Sequence, residues 1–407
     1  MTLRTERPDV GDQPVILDTT GETSPYPFFE YMRRTDPVFH GSLMDTDLLP
    51  PELKPEDEWV LFDYDGVFRA FRDDKIFTSA AYDKTIGLVM GHTILAMGGK
   101  EHHDHRSLVT KAFRATALER WEPSVIGPVC DQLIDEIKTD GHADLVKALT
   151  FEFPTRIISE LLGLPREDLD MFRRLSLDLI SIPTDIMAGL TAANELHGYF
   201  LDQVEQRRRK LTNDIIGDLV AAEIDGEKLT DEAIIAFLRL LLPAGLETTY
   251  RSSGNLLYLL LTHPDQLAMV QQDRSLIPAA MEEGLRVETP LTMVMRTTTE
   301  EVEIGGKTIP ANAQIDMCMG SANRDESRWT DANTFDIRRP RHAHIAFAGG
   351  IHMCLGMHLA RLETRVMLNS LLDRVENLAL DPDEDAQIVG VTFRSPDKLP
   401  VTFTPVS

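Results

Sequence analysis

The run Phe347-Ala348-Gly349-Gly350-Ile351-His352-Met353-Cys354-Leu355-Gly356-Met357-His358-Leu359-Ala360-Arg361 holds the most reactive grouping in the chain. Cys354 follows Gly349 and Gly350 and precedes Gly356, and Leu355, Leu359, Leu362 and Val366 recur near helical spacing beyond it. A helix starting here turns its free N–H groups toward the sulfur, which favours thiolate over thiol. Glycines, lacking Cβ, let the backbone approach a bulky flat ligand. The commonest fate of an intracellular cysteine is structural burial. A zinc centre would draw on His344, His352 and His358, although such sites usually pair cysteines or histidines at short spacings. The residues alone leave these readings open.

Three further groupings could do chemistry. In Leu240-Leu241-Leu242-Pro243-Ala244-Gly245-Leu246-Glu247-Thr248-Thr249 an acid and a hydroxyl stand side by side within an apolar stretch. A helix is predicted over about 230–262, capped by Thr230 or Asp231. Pro243 is expected to bend it, with Gly245 loosening it further. The competing reading is a kinked helix whose Thr248 hydroxyl bonds back to its own backbone. In Glu283-Gly284-Leu285-Arg286 the acid and base share a helix face, and Gly284 marks a close helix approach. In His102-His103-Asp104-His105-Arg106, His102 and Arg106 stand four apart on one face, suited to paired carboxylates. His103 and His105 fall off that face and read as solvated, with a metal role as the alternative.

The pattern F-x-x-G-x-H-x-C-x-G resembles the haem-binding signature of the cytochrome P-450 family, soluble bacterial type. Ala348 departs from it where many bacterial members carry Gly, a small change the loop should tolerate. Pro243 departs where an aliphatic residue is usual. The resemblance covers nearly the whole chain. It implies haem b with Cys354 as axial ligand, and Phe347, Gly349, Gly356 and Ala244 against the macrocycle. It also implies that His102, Arg106, Arg296 and His352 hold the propionates and that Glu247 and Thr248 deliver protons. Glu283 and Arg286 would join Arg339 in a structural network. Leu88, Val89, Leu240, Pro243, Leu291, Thr292, Val294 and Phe393 are the expected substrate pocket, with 86–97 lining it and 180–188 as lid. The implied reaction is a monooxygenation: one atom of O2 enters an apolar small organic substrate by hydroxylation or epoxidation. Electrons would come from a separate ferredoxin and ferredoxin reductase. Arg106, Lys111, Arg114, Arg341, Arg361, Arg365 and His358 form the expected docking patch. The alternatives are a peroxide-driven peroxygenase and a non-catalytic haem-binding relative; the Glu247–Thr248 pair argues against the first, and the intact motifs argue against the second.

Around these motifs the chain reads as mainly α with a small β-sheet region, one large domain over residues 1–407. Sheet is expected at about 20–80 and 297–320, including Trp59–Phe62 and a hairpin turning at Gly305-Gly306. Helices are expected over 117–138, 143–163, 166–180, 191–210 and 264–287. Net charge is −25, with 66 acidic against 41 basic residues, which argues against a nucleic-acid partner. The run Arg207-Arg208-Arg209-Lys210 is expected to end a helix as a solvated terminus. No uninterrupted apolar run reaches the about 18 residues of a membrane span, and the polar start lacks a signal-peptide core. Three scattered cysteines make no disulfide framework. A cytoplasmic protein without a membrane partner is expected.

Overall fold

The structure, a computed structural model, describes residues 17–18, 21–43, 55, 57–113, 115–180, 186–224, 226–340 and 342–406. Helices dominate it, with a few small sheets, as the sequence predicts. The central element is the helix Asp231–Thr262. Thr230 caps it, its hydroxyl accepting from the Ala233 N–H at 3.1 Å, and Asp231 and Glu232 suit the positive end of the dipole. Ile234, Leu238, Leu242, Leu256 and Leu260 are buried in the main hydrophobic cluster. The helix is long and apolar enough to cross a membrane by length and composition, but here it packs against the helices Glu152–Leu161, Ile186–Arg209 and Ile277–Val287. It stays one helix through Pro243. Packing on several sides outweighs the about 3 kcal/mol that an interior proline costs.

The main sheet has five strands in the order Val38–His40, Glu58–Leu61, Gln314–Cys318, Met293–Thr298, Phe77–Thr78. Gln314–Cys318 runs parallel to Glu58–Leu61, with Gln314 opposite Glu58, and antiparallel to Met293–Thr298, with Gln314 opposite Thr297. The predicted hairpin forms from Val302–Ile304 and Lys307–Ile309. Gly305 and Gly306 take φ of 55° and 75° at its turn, the left-handed values such a turn requires.

Several boundaries differ from those read in the sequence. His142–Asp144 is a strand, not the start of a helix, because it pairs with Pro400–Pro405 far along the chain. The segment 264–287 divides at Asp273, whose carboxylate caps the next turn through the Ser275 N–H at 3.0 Å. Arg207 is not solvated. It is buried, paired with Asp214 at 3.1 Å, and donates to the Gly163 carbonyl at 3.0 Å. Arg208 and Arg209 remain near the surface on Asp231 and Glu205.

Candidate active site

The cysteine loop is closed by its own backbone: the Cys354 N–H donates to the Phe347 carbonyl at 2.9 Å. Gly350 has φ 64°, and a Cβ there would lie 1.9 Å from the Phe71 carbonyl oxygen, so only glycine fits. Gly349 packs less closely, on the Phe71 side chain, at 3.2 Å for a built Cβ. Ala348 also sits left-handed, at φ 58°. This substitution therefore carries a backbone cost of about 1–2 kcal/mol, which a reading of side-chain size alone misses. Gly356 differs from these. Its φ is −83°, and a Cβ there would meet no protein atom within 4 Å. Protein packing does not require a glycine there, whereas a flat ligand against the loop would.

The helix Met357–Arg374 begins directly after this loop. Cys354 is exposed on one side and enclosed by protein on the others. Burial pushes its thiol pKa up. The Gly356 N–H, Arg106, Arg361 and the Met357 N–H act in the opposite sense, so the predicted helix-start influence is present.

Beside the loop lie four basic groups. His102 and Arg106 come from the helix Gly99–Thr110, Arg296 from the strand Met293–Thr298 and His352 from the cysteine loop. The His102 and His352 rings are 4.4 Å apart. His102 is buried, and its Nε2 has no hydrogen-bond partner. Arg296 is buried and donates to the carbonyl of its neighbour Met295 at 2.7 Å, with Tyr82 as its other polar contact. Arg106 donates to the Met353 carbonyl. Burial, then Arg296, His102 and Arg106, push His352 down to about 3. Burial and Arg106 lower His102, with Asp74 opposing weakly. Four basic groups thus converge, and charge is disfavoured on His352 by the other three and on His102 by Arg106. An open cleft of about 710 Å³ lies beside them, lined by Asp74, His102, His103, Arg106, Lys111 and Ile351 among others. A ligand with two carboxylates fits this donor set, and a soft metal fits the sulfur next to it. His105 bonds the Glu101 carbonyl, and no metal-holding His/Cys/Asp/Glu cluster occurs among the described residues.

On the central helix, Ala244 is exposed and Thr248 half-buried, one turn apart and facing open space. The Thr248 hydroxyl donates back to the Ala244 carbonyl at 3.0 Å. Glu247 lies on another face, buried, its Oε2 bound by Arg251 at 2.9 Å. Its Oε1 has no partner. Burial raises its pKa and Arg251 opposes the shift. Arg251 also donates to the Ser395 hydroxyl at 3.0 Å and lies over the Phe393 ring. The i,i+4 spacing of Glu247 and Arg251 is the signal that reveals this clamp.

The expected pocket residues are only partly gathered. Leu291 and Phe393 pair through an isolated antiparallel bridge. Leu240 and Val294 are half-buried, while Pro243 is buried in the helix. Leu88 is exposed and Val89 buried. Thr292 is fully buried, packs on Gly320, and donates to the Val391 carbonyl at 2.6 Å. Of the lid, 181–185 lies outside the described residues. Arg114 and Arg341 of the docking patch also lie outside them. Arg361 and Arg365 are engaged by Glu282 and Glu122. Lys111 stays at the surface, donating to the Glu223 carbonyl at 3.0 Å.

The Glu283–Arg286–Arg339 network is present as expected. Arg286 meets both Glu283 oxygens at 2.8 Å, and Arg339 meets Oε1 at 2.9 Å. Gly284 does mark a close approach, since a Cβ there would lie 3.3 Å from Leu256. Sequence reasoning missed the neighbouring cluster, in which Glu282 receives Arg361 at 2.7 and 2.9 Å and His344 at 3.1 Å.

The cytochrome P450 family model matches residues 155–391. The chain is 35% identical to the putative cytochrome P450 YjiB of Bacillus subtilis, over 91% of this chain and 93% of that one. It is 34% identical to the vitamin D(3) 25-hydroxylase of Pseudonocardia autotrophica, over 97% and 98%. Among solved structures it is similar to CYP109E1 of Bacillus megaterium in complex with testosterone, with a TM-score of 0.82, 32% identity, and coverage of 93% of this chain and 99% of that one.

Proposed function

This chain is a member of the cytochrome P450 family, a haem-iron monooxygenase, and from that premise we propose that it hydroxylates an apolar polycyclic molecule of the steroid type. The observation that carries the site assignment is the convergence of four basic groups, with no acid among the described residues bonded to any of them, beside a cysteine at a helix start. We assign Cys354 as axial ligand of haem b and His102, Arg106, Arg296 and His352 to its propionates. Phe347, Gly349, Gly356 and Ala244 would lie against the ring. The haem, when bound, supplies the oxygen-activating chemistry.

The protein's own residues position substrate and protons. Thr248 faces open space and can exchange its bond to the Ala244 carbonyl for one to a water or an oxygen species. Glu247 can hold a proton at Oε1, the oxygen that Arg251 leaves free. Leu240, Leu291, Val294 and Phe393 supply apolar surface. The steroid class rests on the vitamin D(3) hydroxylase and the testosterone complex among the relatives. Residues 1–407 would act as one domain in the cytoplasm. A ferredoxin would supply electrons, approaching near Lys111.

The test is a spectral titration with testosterone and cholecalciferol, followed by turnover with a surrogate ferredoxin and its reductase. A shift of the Soret band on binding, and NADH-dependent hydroxylated product, are expected. Thr248→Ala should bind as tightly, yet divert NADH consumption into peroxide. Coupling equal to the parent's would remove Thr248 from proton delivery.

A further inference from the structure

Glu282 and Glu283 are consecutive on the helix Ile277–Val287, yet their carboxylates serve different structures. Glu283 binds Arg286 and Arg339 and receives the Asp336 N–H, so it holds the segment before the cysteine loop. Glu282 reaches both sides of the loop itself: His344 at its entry and Arg361 on the helix that leaves it. The His344 Nδ1 accepts from the Ala346 N–H at 3.2 Å, which leaves the hydrogen on Nε2, the atom that donates to Glu282. Arg361 is gripped at Nε and Nη2, the two-point geometry that fixes a guanidinium plane. Its Cζ stands 4.4 Å from the centre of the Phe347 ring, a favourable stacking of cation on aromatic face. Phe347 is the residue whose carbonyl holds the Cys354 N–H.

The electrostatics give this arrangement a direction. Arg361 stands on the helix that leaves the loop, with its guanidinium against the ring of Phe347, the residue that accepts the Cys354 N–H, and it is among the groups that favour the charged sulfur. Burial alone would raise the Glu282 carboxyl, but His344 and Arg361 hold it at about 2, so it is an anion throughout the working range. A free arginine on a half-exposed helix face would sample many rotamers and be screened by water. A clamped one acts as a fixed charge.

We propose that Glu282 is a positioning residue, whose carboxylate locks Arg361 against Phe347 so that the guanidinium tunes the reduction potential of the metal centre. This rests on the reading of Cys354 as axial ligand. A fixed positive charge near the thiolate disfavours the ferric state, which carries one more positive charge than the ferrous. Losing it lowers the potential. Glu282 is itself negative, so simple deletion of its charge would raise the potential. Loss of its hold on Arg361 lowers it, and the two effects differ in sign.

The experiment is a redox titration of the haem-loaded parent, Glu282→Ala, Arg361→Leu and the double variant, with the reduced carbon monoxide spectrum recorded for each. The parent should show the strongly red-shifted Soret band of thiolate ligation. Its absence would overturn the ligand reading and this inference with it. Given that band, Arg361→Leu and Glu282→Ala should both shift the potential negative, by about tenfold in the ferric-to-ferrous equilibrium, or about 59 mV for one electron. The double variant should shift no further than Arg361→Leu, and Glu282→Asp should recover part of the change. A positive or null shift in Glu282→Ala, or additive shifts in the double variant, would overturn the inference and leave the ligand reading intact. Should Glu282→Ala fail to fold, Glu282→Ser, whose side chain is likewise too short to hold Arg361, carries the same sign test.

Discussion

Two charged clusters flank the cysteine loop, and they differ in completeness. On one side Glu282 and Glu283 satisfy Arg286, Arg339, Arg361 and His344 through direct bonds. On the other, His102, Arg106, Arg296 and His352 gather without an acid bonded to any of them among the described residues. A finished network is a scaffold: its members' partners are all in the chain, and its role is to hold backbone segments in register. An unfinished one is a binding site, because the chain tolerates mutual repulsion there only where another molecule completes it. Cys354 lies at the junction, held by the first and serving the second.

The largest effect should come at the junction itself. Cys354→His should abolish the red-shifted Soret band of the reduced carbon monoxide form while retaining some haem. An unchanged spectrum in Cys354→Ser would reject the ligand.

Next is the finished network. Glu283→Ala leaves Arg286 and Arg339 without their acid, and Arg286 is among the largest fully buried side chains. Breaking such a pair costs about 3–5 kcal/mol. Denaturant unfolding of the apoprotein should show a loss of that order. A loss below about 1 kcal/mol would mean that the network is not a scaffold.

The unfinished cluster should behave in the opposite way. In the double variant His102→Ala, Arg106→Ala, haem should dissociate faster, since each charge-assisted hydrogen bond contributes about 1.5–3 kcal/mol. Apoprotein stability at neutral pH should barely change. The acid response follows from sign. The folded pKa of His102 lies below its unfolded value of about 6.5, because of burial and then Arg106. Stability linked to it is therefore present above that value and is lost as pH falls through it, where the unfolded chain takes up the proton first. The double variant should lose less stability between pH 7 and 5 than the parent does. Normal haem occupancy, or an equal acid loss, would contradict the assignment.

The same contrast explains what the sequence made legible. Glu283, Arg286 and Arg339 could be read because two lie one helical turn apart and the third completes a familiar pattern. Glu282 could not, because neighbours in sequence point to different faces and its partners are distant in the chain. The strand His142–Asp144 was hidden likewise, its pairing being wholly non-local. The helix runs on through Pro243 because its packing outweighs the proline, and the strain at Ala348 comes from a φ that composition does not carry. The four basic groups were named through the resemblance. The lowered pKa of His352 and His102 beside the arginines, and the orphan His102 Nε2, became visible only once the elements were assembled.

The smallest effect concerns a third kind of cluster, complete but exposed. His92 stands between two acids, with Nδ1 at 2.8 Å from Asp83 and Nε2 at 3.1 Å from Glu101. Asp83 belongs to the short helical turn Ala80–Lys84, and Glu101 to the helix that bears His102 and Arg106. The clasp thus ties the segment around Gly91, where a Cβ would come 3.4 Å from Ala236 of the central helix, to both neighbours. Nearby in sequence, Lys100 is held by Asp104, and His105 bonds a backbone carbonyl. The Asp83 hydrogen bond raises the His92 pKa against the opposing desolvation, with the Asp83 charge and Glu101 adding to it. A raised folded pKa means that the linked stability is fully present below the unfolded value and fades as pH rises through the folded one. All three side chains are about half exposed, so screening limits the gain to about 0.2–1 kcal/mol. His92→Gln should therefore be less stable than the parent at pH 6 and indistinguishable from it at pH 8.5, by isothermal denaturant unfolding. A deficit that is the same at both pH values would show that His92 acts through packing and not through its charge. Such a result would place this cluster with the scaffold rather than between the two kinds.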